Sequence, residues 1–554
     1  MGEVIIEIEQ SKLNIPTLKI NNYYIHSKYN PLKEATQFAS KNYSEGNLHI
    51  IFGNGLGYYT EAFVELSKNK DDILVFEPIE NLPSDKADFV FTNMELFKHK
   101  LKKKIKQFKE LNVIAIPNYL KLAPEVHKDI LSFTKDQMVV AKIFENTVTT
   151  FSQQWQENYL RNLVYVPLDL SIQNLYKHFE APVVVVSAGP SLAKQIPLLK
   201  KYRDKMVLVA AGSSITALMK YDLEPDFVVT MDGGESNSNH FNSVRLKKAN
   251  LVYSLVTHHN VRVSVSETES YHYLSSDCYE MESHYFNLFK KEPVKLSGGG
   301  SVATYALSFA RFISSGPIAL VGQDLAYTNA KTHDDNNRNA KGITKEYIEK
   351  RGLFKTKDLY DQEIYTDHAF LAMREAFEIL SNELEGLNII FNCTEGGLDI
   401  QSIKNITLQN YLEEYTSDIV KYPNVTEKAV SLSSSQLLER LKVETVDYDA
   451  TIKLLNESIK LLESSQGIRK FKDSVLRKLE ANEKKILMYA ERMSIGIALK
   501  KTMIKVMQAE PINVSDTEYM KYKKIYNKNE MLYKELLEVL QSMQVVLENI
   551  VNNR

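Results

Sequence analysis

Residues 183–192, VVVVSAGPSL, decide how the central part of the chain reads. Four consecutive valines describe a strand buried on both faces, as the strands of parallel sheets are. Ser-Ala-Gly-Pro-Ser is a tight turn of very small residues, and a leucine-bearing helical pattern comes after it. Strand, small-residue turn, helix is the arrangement in which an α/β protein offers backbone N–H groups to an anionic ligand.

The same pattern repeats on either side. Apolar runs at 183–187, 206–211, 226–231, 251–256, 317–322 and 388–393 read as strands, with helical patterns between several of them. That alternation predicts an α/β fold, a Rossmann-like and mostly parallel sheet covered on both faces. Ligands of such sheets bind beyond the carboxyl ends of the strands. The turns at those carboxyl ends therefore supply the candidate binding residues. They are Ser187, Ala188, Gly189, Pro190 and Ser191; Gly212, Ser213 and Ser214; Asp232 and Gly233; and Gln323, Asp324 and Tyr327. Ser297, Gly298, Gly299 and Ser301, in the LSGGGS that precedes a helix at 301–314, complete the set. Small residues admit a ligand to the backbone, and hydroxyls and helix N-termini bind phosphate oxygens. Together the five turns predict a nucleotide or sugar-phosphate site.

Three regions are expected. Residues 1–165 form a smaller N-terminal α/β domain, 166–405 the central domain, and 406–554 an all-helical C-terminal domain. In the first, Gly53, Gly55 and Gly57 come after a strand and Glu77 closes the next, which imitates a Rossmann nucleotide corner. The same glycines equally serve close packing of helix on strand. In the last, Ile525, Leu532, Leu536, Val539, Met543, Val546 and Ile550 recur at helical spacing, with Ser515 and Glu518 as a capping box. Such a region suits packing, homo-oligomerisation or holding a protein partner.

Composition narrows the function. With 68 basic and 70 acidic residues the net charge is −2, so no global field favours nucleic acid. The basic run at 98–109 reads as a solvated helix face. Two cysteines, Cys278 and Cys393, exclude a disulfide framework and a thiolate zinc site. The N-terminal stretch mixes acidic with apolar residues, unlike a signal peptide, and no apolar run approaches the roughly 20 residues that span a bilayer. A cytoplasmic location without membrane insertion is expected. Neither a P-loop G-x-x-x-x-G-K-[ST] nor a G-x-S-x-G elbow occurs. His258 and His259, read as neighbours at a strand end, are expected to face opposite ways. For acid–base work the candidates are His333, in the THDD segment, and His368, at a predicted helix start capped by Thr366 or Asp367.

These segments resemble the motility accessory factor (Maf) proteins, glycosyltransferases of flagellated bacteria. The resemblance rests on VVVVSAGPSLAKQIPLLKK, LVAAGSSITALMKYDLEPDFVVTMDGGE, KLSGGGSVATYALSFARFISSGPIALVGQDLAYT, THDD and IIFNCTEGGL, in that order. The central part is also similar to the small bacterial sialyltransferases, on Gly189, Pro190, Ser191 and Leu192 and on Ser297 and Gly298. Those enzymes hold a CMP-sugar between such turns and use a helix-start histidine as base, for which His368 is the nearest match. They carry an Asn where this chain has Ala188. The resemblance implies transfer of a nonulosonic acid, pseudaminic or legionaminic, from its CMP donor to Ser or Thr hydroxyls of flagellin. For that transfer the resemblance implies no metal or other cofactor, with carboxylates such as Asp324 or Asp232 stabilising its oxocarbenium-like transition state. A Mg²⁺-dependent 6-hydroxymethyl-dihydropterin pyrophosphokinase is the alternative, with Asp232 and Asp324 as ligands. A non-catalytic flagellin-binding scaffold and a methyltransferase using the N-terminal glycines stand behind it.

Overall fold

A computed structural model describes residues 4–67, 72–82, 88–105, 110–242, 244–265, 267–383, 389–467, 470–507, 509 and 516–553. The chain divides into two compact units, Met1–Glu145 with Gln508–Lys524, and Asn146–Met507 with Ile525–Arg554. Among the described residues no helix is long and apolar enough to cross a membrane.

The first unit holds two sheets. Strands β1 (Ile6–Gln10), β2 (Pro16–Ile20) and β3 (Tyr23–Tyr24) form an antiparallel sheet. Strands β4 (Leu48–Phe52), β5 (Ile73–Phe76), β6 (Val90–Phe91) and β7 (Leu111–Ala115) form a parallel sheet in the order β6-β5-β4-β7. Every residue of β4 and β5 is buried, which explains why both were legible as unbroken apolar runs.

The second unit is built on nine parallel strands. In chain order these are β8 (Val183–Val186), β9 (Val207–Ala211), β10 (Phe227–Thr230), β11 (Asn250–Ser254), β12 (Ser270–Ser275), β13 (Lys295–Leu296) and β14 (Ile318–Val321). A hairpin, β15 (Phe354–Lys357) and β16 (Glu363–Thr366), intervenes before β17 (Ile390–Asn392) and β18 (Lys404–Asn405). Spatially the sheet runs β13-β12-β11-β10-β9-β8-β14-β17-β18. The four valines of β8 are each at most 1% exposed, between β9 and β14, and both faces are covered. Helix Val302–Ile313 buries nine of its twelve residues against this sheet. The Ser301 hydroxyl starts it by accepting the Ala303 N–H at 3.2 Å.

The architecture is thus the expected one: mixed α/β with a large parallel sheet, a small N-terminal α/β part and a helical C-terminal part. Strands β12, β13 and β18, the hairpin and the antiparallel sheet were not foreseen. They are short, or carry polar and aromatic residues where an apolar run is the usual signal. Beyond the sheet come helices Leu408–Tyr415, Ser434–Glu463, Asp473–Ala490, Gly496–Met507 and Glu518–Asn552. The second begins twelve residues before the 446 expected from its apolar pattern, because Ser433 and Gln436 form a capping box. For the last helix, Ser515 lies outside the described residues, and Thr517 caps it by accepting the Met520 N–H at 3.2 Å.

Candidate functional site

The strand order reverses between β8 and β14: from β8 the chain moves toward β9, and from β14 toward β17 on the other side. Crevices outside the carboxyl ends of strands at such a switch are where open α/β sheets bind ligands. Here the two turns at the ends of those strands meet and pack against each other. Ser187 Oγ donates to Gln323 Oε1 at 2.6 Å, and the Gly189 N–H donates to the Gly322 carbonyl at 2.9 Å. Ser191 donates twice to Asp324 Oδ2, from Oγ at 2.7 Å and from its N–H at 3.3 Å. A Cβ at Gly189 would collide with that carboxylate, so only glycine lets the turns meet. From the next strand over, Thr394 Oγ1 accepts the Gln323 N–H at 3.1 Å.

Asp324 is 2% exposed, with the Ser191 and Thr328 hydroxyls beside it. Burial raises its carboxyl, against the lowering pull of the Ser191 and Thr328 hydroxyls. The loop after it is strained. Leu325, Asn329 and Ala330 all have positive φ, 53°, 55° and 56°, a region that costs a branched or methyl-bearing residue energy. Backbone held this way by its surroundings is common at ligand sites.

This loop continues across neighbouring strand ends. The Asp334 N–H donates to the Ala188 carbonyl at 2.9 Å, Tyr221 OH donates to the Asp334 carboxylate at 3.1 Å, and Asn337 Nδ2 donates to the Ser213 carbonyl at 3.0 Å. Arg338 reaches the Asn239 carbonyl at 2.7 Å. His333 therefore sits in a segment stapled to the turns of β8, β9 and β10. Its Nδ1 is buried without a partner; burial lowers its pKa while a hydrogen bond to the Asn339 backbone acts the other way.

Gly212 joins a second group. A Cβ there would lie 3.3 Å from Val302, beside the Ser301 cap, and Ser214 Oγ is buried without a partner. Gly298 accommodates the Tyr305 ring, and Gly299 lies against Ala376 of helix His368–Glu383. Ser297 is exposed at the rim of this turn. Tyr327 OH donates to Asp367 Oδ2 at 2.8 Å, while Asp367 Oδ1 accepts the Phe370 N–H at 2.8 Å. Asp367, not Thr366, is thus the cap of that helix; Thr366 Oγ1 donates to the Leu325 carbonyl instead. His368 lies against the Phe354 ring, 5.1 Å between centroids.

Asp232 and Gly233 turn elsewhere. Exposed Asp232 accepts the Gly234 N–H at 2.8 Å, and Gly233 leaves room for Trp155, the only tryptophan of the chain, with Asn158 donating to its carbonyl at 3.0 Å. The His258 and His259 rings do not face opposite ways. They stack at 4.8 Å and 17°, because His258 caps helix His259–Ser264 rather than ending a strand. Residues such as Thr394, Asn337, Tyr221, Asn158 and Trp155 escaped the sequence reading. Each reaches one of the strand-end turns from a distant segment and lacks a local motif.

In the first unit the Gly53-Gly55-Gly57 turn is filled by protein. Glu77 Oε2 accepts the Asn54 and Gly55 N–H groups at 2.7 and 3.0 Å and Tyr119 OH at 2.5 Å. A Cβ at Gly53 would meet the Tyr119 ring and one at Gly55 would meet His26. The carboxylate and glycines are spent on internal packing, leaving the ribose-binding corner of a methyltransferase occupied by side chains.

Comparisons with known proteins agree with this geometry. A family model described as 6-hydroxymethylpterin diphosphokinase MptE-like matches residues 157–330, from the helix before β8 through the loop after β14. A Treponema pallidum (strain Nichols) protein described as uncharacterized is 26% identical over 110 residues, 20% of this chain. The chain spans about half the length of that curated relative, 51%. The solved Maf glycosyltransferase of Magnetospirillum magneticum AMB-1 superposes with a TM-score of 0.59 at 14% identity, covering 99% of this chain and 92% of that one. The chain has the Maf glycosyltransferase fold. The Maf-type likeness covers all three parts of the chain, whereas the MptE-like match stays within the switch-point half of the second unit.

Proposed function

We propose that the chain is a glycosyltransferase that moves a nonulosonic acid of pseudaminic or legionaminic type from its CMP donor to Ser or Thr hydroxyls of flagellin, in the cytoplasm, in support of flagellar assembly and motility. The observation that carries this reading is the pair of hydrogen-bonded turns, Ser187–Ser191 and Gln323–Asp324, at the switch point of a chain that shares the fold of a solved Maf glycosyltransferase along 99% of its length. A CMP-sugar leaves with a single phosphate, so hydroxyls and backbone amides suffice to hold it. Gln323 and Ser301 are the groups suited to that task, since the Ser187 hydroxyl is donated to Gln323 and Ser214 is fully buried. Ser191 serves indirectly, since its hydroxyl is committed to Asp324.

In the reaction the acceptor oxygen bonds the anomeric carbon, the bond to phosphate oxygen breaks, and CMP departs with the electron pair. His333 takes the acceptor's proton. Burial lowers the pKa of its imidazole, which favours the neutral form that can accept a proton. Asp324 braces the turn and adds negative potential opposite the oxocarbenium-like transition state. Measuring the intact mass of flagellin from cells with and without this protein tests the reading. Loss of integral nonulosonic-acid masses is expected; unchanged flagellin would refute it.

The MptE-like match favours a second reading, Mg²⁺-dependent pyrophosphoryl transfer from ATP. Its proposed ligands are committed to different turns, Asp324 to Ser191 and Asp232 to Gly234. Among the described residues no group of three or more His, Cys, Asp or Glu is placed to hold a metal ion. EDTA sensitivity separates the two readings.

A further inference from the structure

A cavity of about 620 Å³ lies where helix Glu282–Phe289 and the turn before it meet the start of helix Gly496–Met507. That volume is within the roughly 300–1,000 Å³ of ligand pockets. Phe286, Ile495 and Leu499 give it an apolar wall, and Glu280, Glu282, Glu292 and Glu491 give it carboxylates. Lys500 offsets Glu280 at 3.1 Å and Lys295 offsets Glu282 at 2.8 Å. Glu292 and Glu491 are exposed, and among the described residues neither has an ion-pair partner. The cavity therefore carries net negative charge beside an apolar wall.

The wall is rigidly built. His284 lines it and is held from both sides, by Glu444 Oε2 at 3.0 Å and Tyr159 OH at 2.9 Å. Glu444 in turn accepts the Ser494 N–H at 2.7 Å and its hydroxyl at 2.6 Å. A side chain at Gly496 would collide with Glu280 Cβ, so glycine there fixes how closely the helix approaches. Apolar surface continues outward: Phe286 is 42% exposed, and Leu487, one helical turn before Glu491, is 65% exposed.

We propose that this cavity docks a peptide segment of a protein partner, with a lysine or arginine between Glu292 and Glu491 and a neighbouring apolar side chain against Phe286 and Leu499. Charge complementarity selects a cation and repels phosphate-bearing ligands, while the apolar wall selects a side chain over a bare ion. Identifying the partner with the protein acceptor rests on the function proposed above; the docking itself does not.

The test is fluorescence anisotropy on the full chain with a labelled octapeptide of alternating lysine and leucine. Two controls replace lysine by glutamate or leucine by glycine. The lysine–leucine peptide is expected to bind, to weaken as salt is raised, and to weaken about tenfold in E292Q/E491Q, whose substitutions are at exposed positions. Both control peptides are expected to bind several-fold more weakly. No binding to the unaltered protein, equal binding to the double variant, or equal binding of the glutamate or glycine peptide would overturn the proposal. CMP calorimetry on the same samples keeps the two claims apart. Unchanged CMP affinity in E292Q/E491Q is expected, and failure of the unaltered protein to bind CMP would count against the transferase alone.

Discussion

Removing the Ser191 hydroxyl is the sharpest perturbation of the two switch-point turns. Ser191 is fully buried, Asp324 is 2% exposed, and their 2.7 Å hydrogen bond is charge-assisted when the carboxylate is ionised. Hydrogen bonds to charged groups contribute about 1.5–3 kcal/mol, and Ser191→Ala leaves Oδ2 only the weaker 3.3 Å contact to the backbone N–H. About 2 kcal/mol of stability should be lost, and the carboxyl should move further up in pKa because one lowering interaction is gone. Asp324→Asn removes the charge while keeping shape. Urea unfolding of the two single variants and the double variant gives the coupling energy, which should be about 1.5–2 kcal/mol. A coupling below about 0.5 kcal/mol would refute the view that this pair holds the two turns together.

The same geometry sets the outcome of other perturbations. Gly189→Ala drives a methyl into the Asp324 carboxylate and should abolish CMP binding in calorimetry, with a loss of about 1–3 kcal/mol in stability. His333→Gln should lower kcat by about 10²–10⁴ with folding intact by circular dichroism, whereas His368→Gln should change it only a few-fold. Because burial lowers the pKa of His333, the acid limb of its pH–rate profile should lie below the ordinary 6.5. His26, lowered to about 4 by burial, binds its proton in the unfolded chain before the folded one. Its contribution is present above pH 6.5 and is lost as pH falls toward 4, at most about 3 kcal/mol. Thermal melts across that range should show an acid limb that His26→Gln flattens.

Much of the fold was legible because parallel strands buried on both faces announce themselves as apolar runs. The valines of β8 and the β9, β10 and β14 runs belong to this group. Strand β12, Ser-Tyr-His-Tyr-Leu-Ser, escaped because its polar groups are satisfied internally, with His272 between Asp169 and Tyr285. The turns were legible as small residues at strand ends, but their partners were not. That Ser191 faces Asp324, or that Asp334 reaches the Ala188 carbonyl, depends on strand order, which no local pattern encodes. The stacked His258 and His259 show the same limit. A helix cap placed one residue after a turn reverses what strand alternation implies.

We propose that the turns at the β8–β14 switch hold a CMP-sugar without a divalent ion. Isothermal calorimetry of the full chain with CMP in EDTA, set beside ATP with Mg²⁺, tests it most directly. Saturable CMP binding that survives EDTA and disappears in Gly189→Ala is expected. Binding of ATP with Mg²⁺ but not of CMP would contradict it.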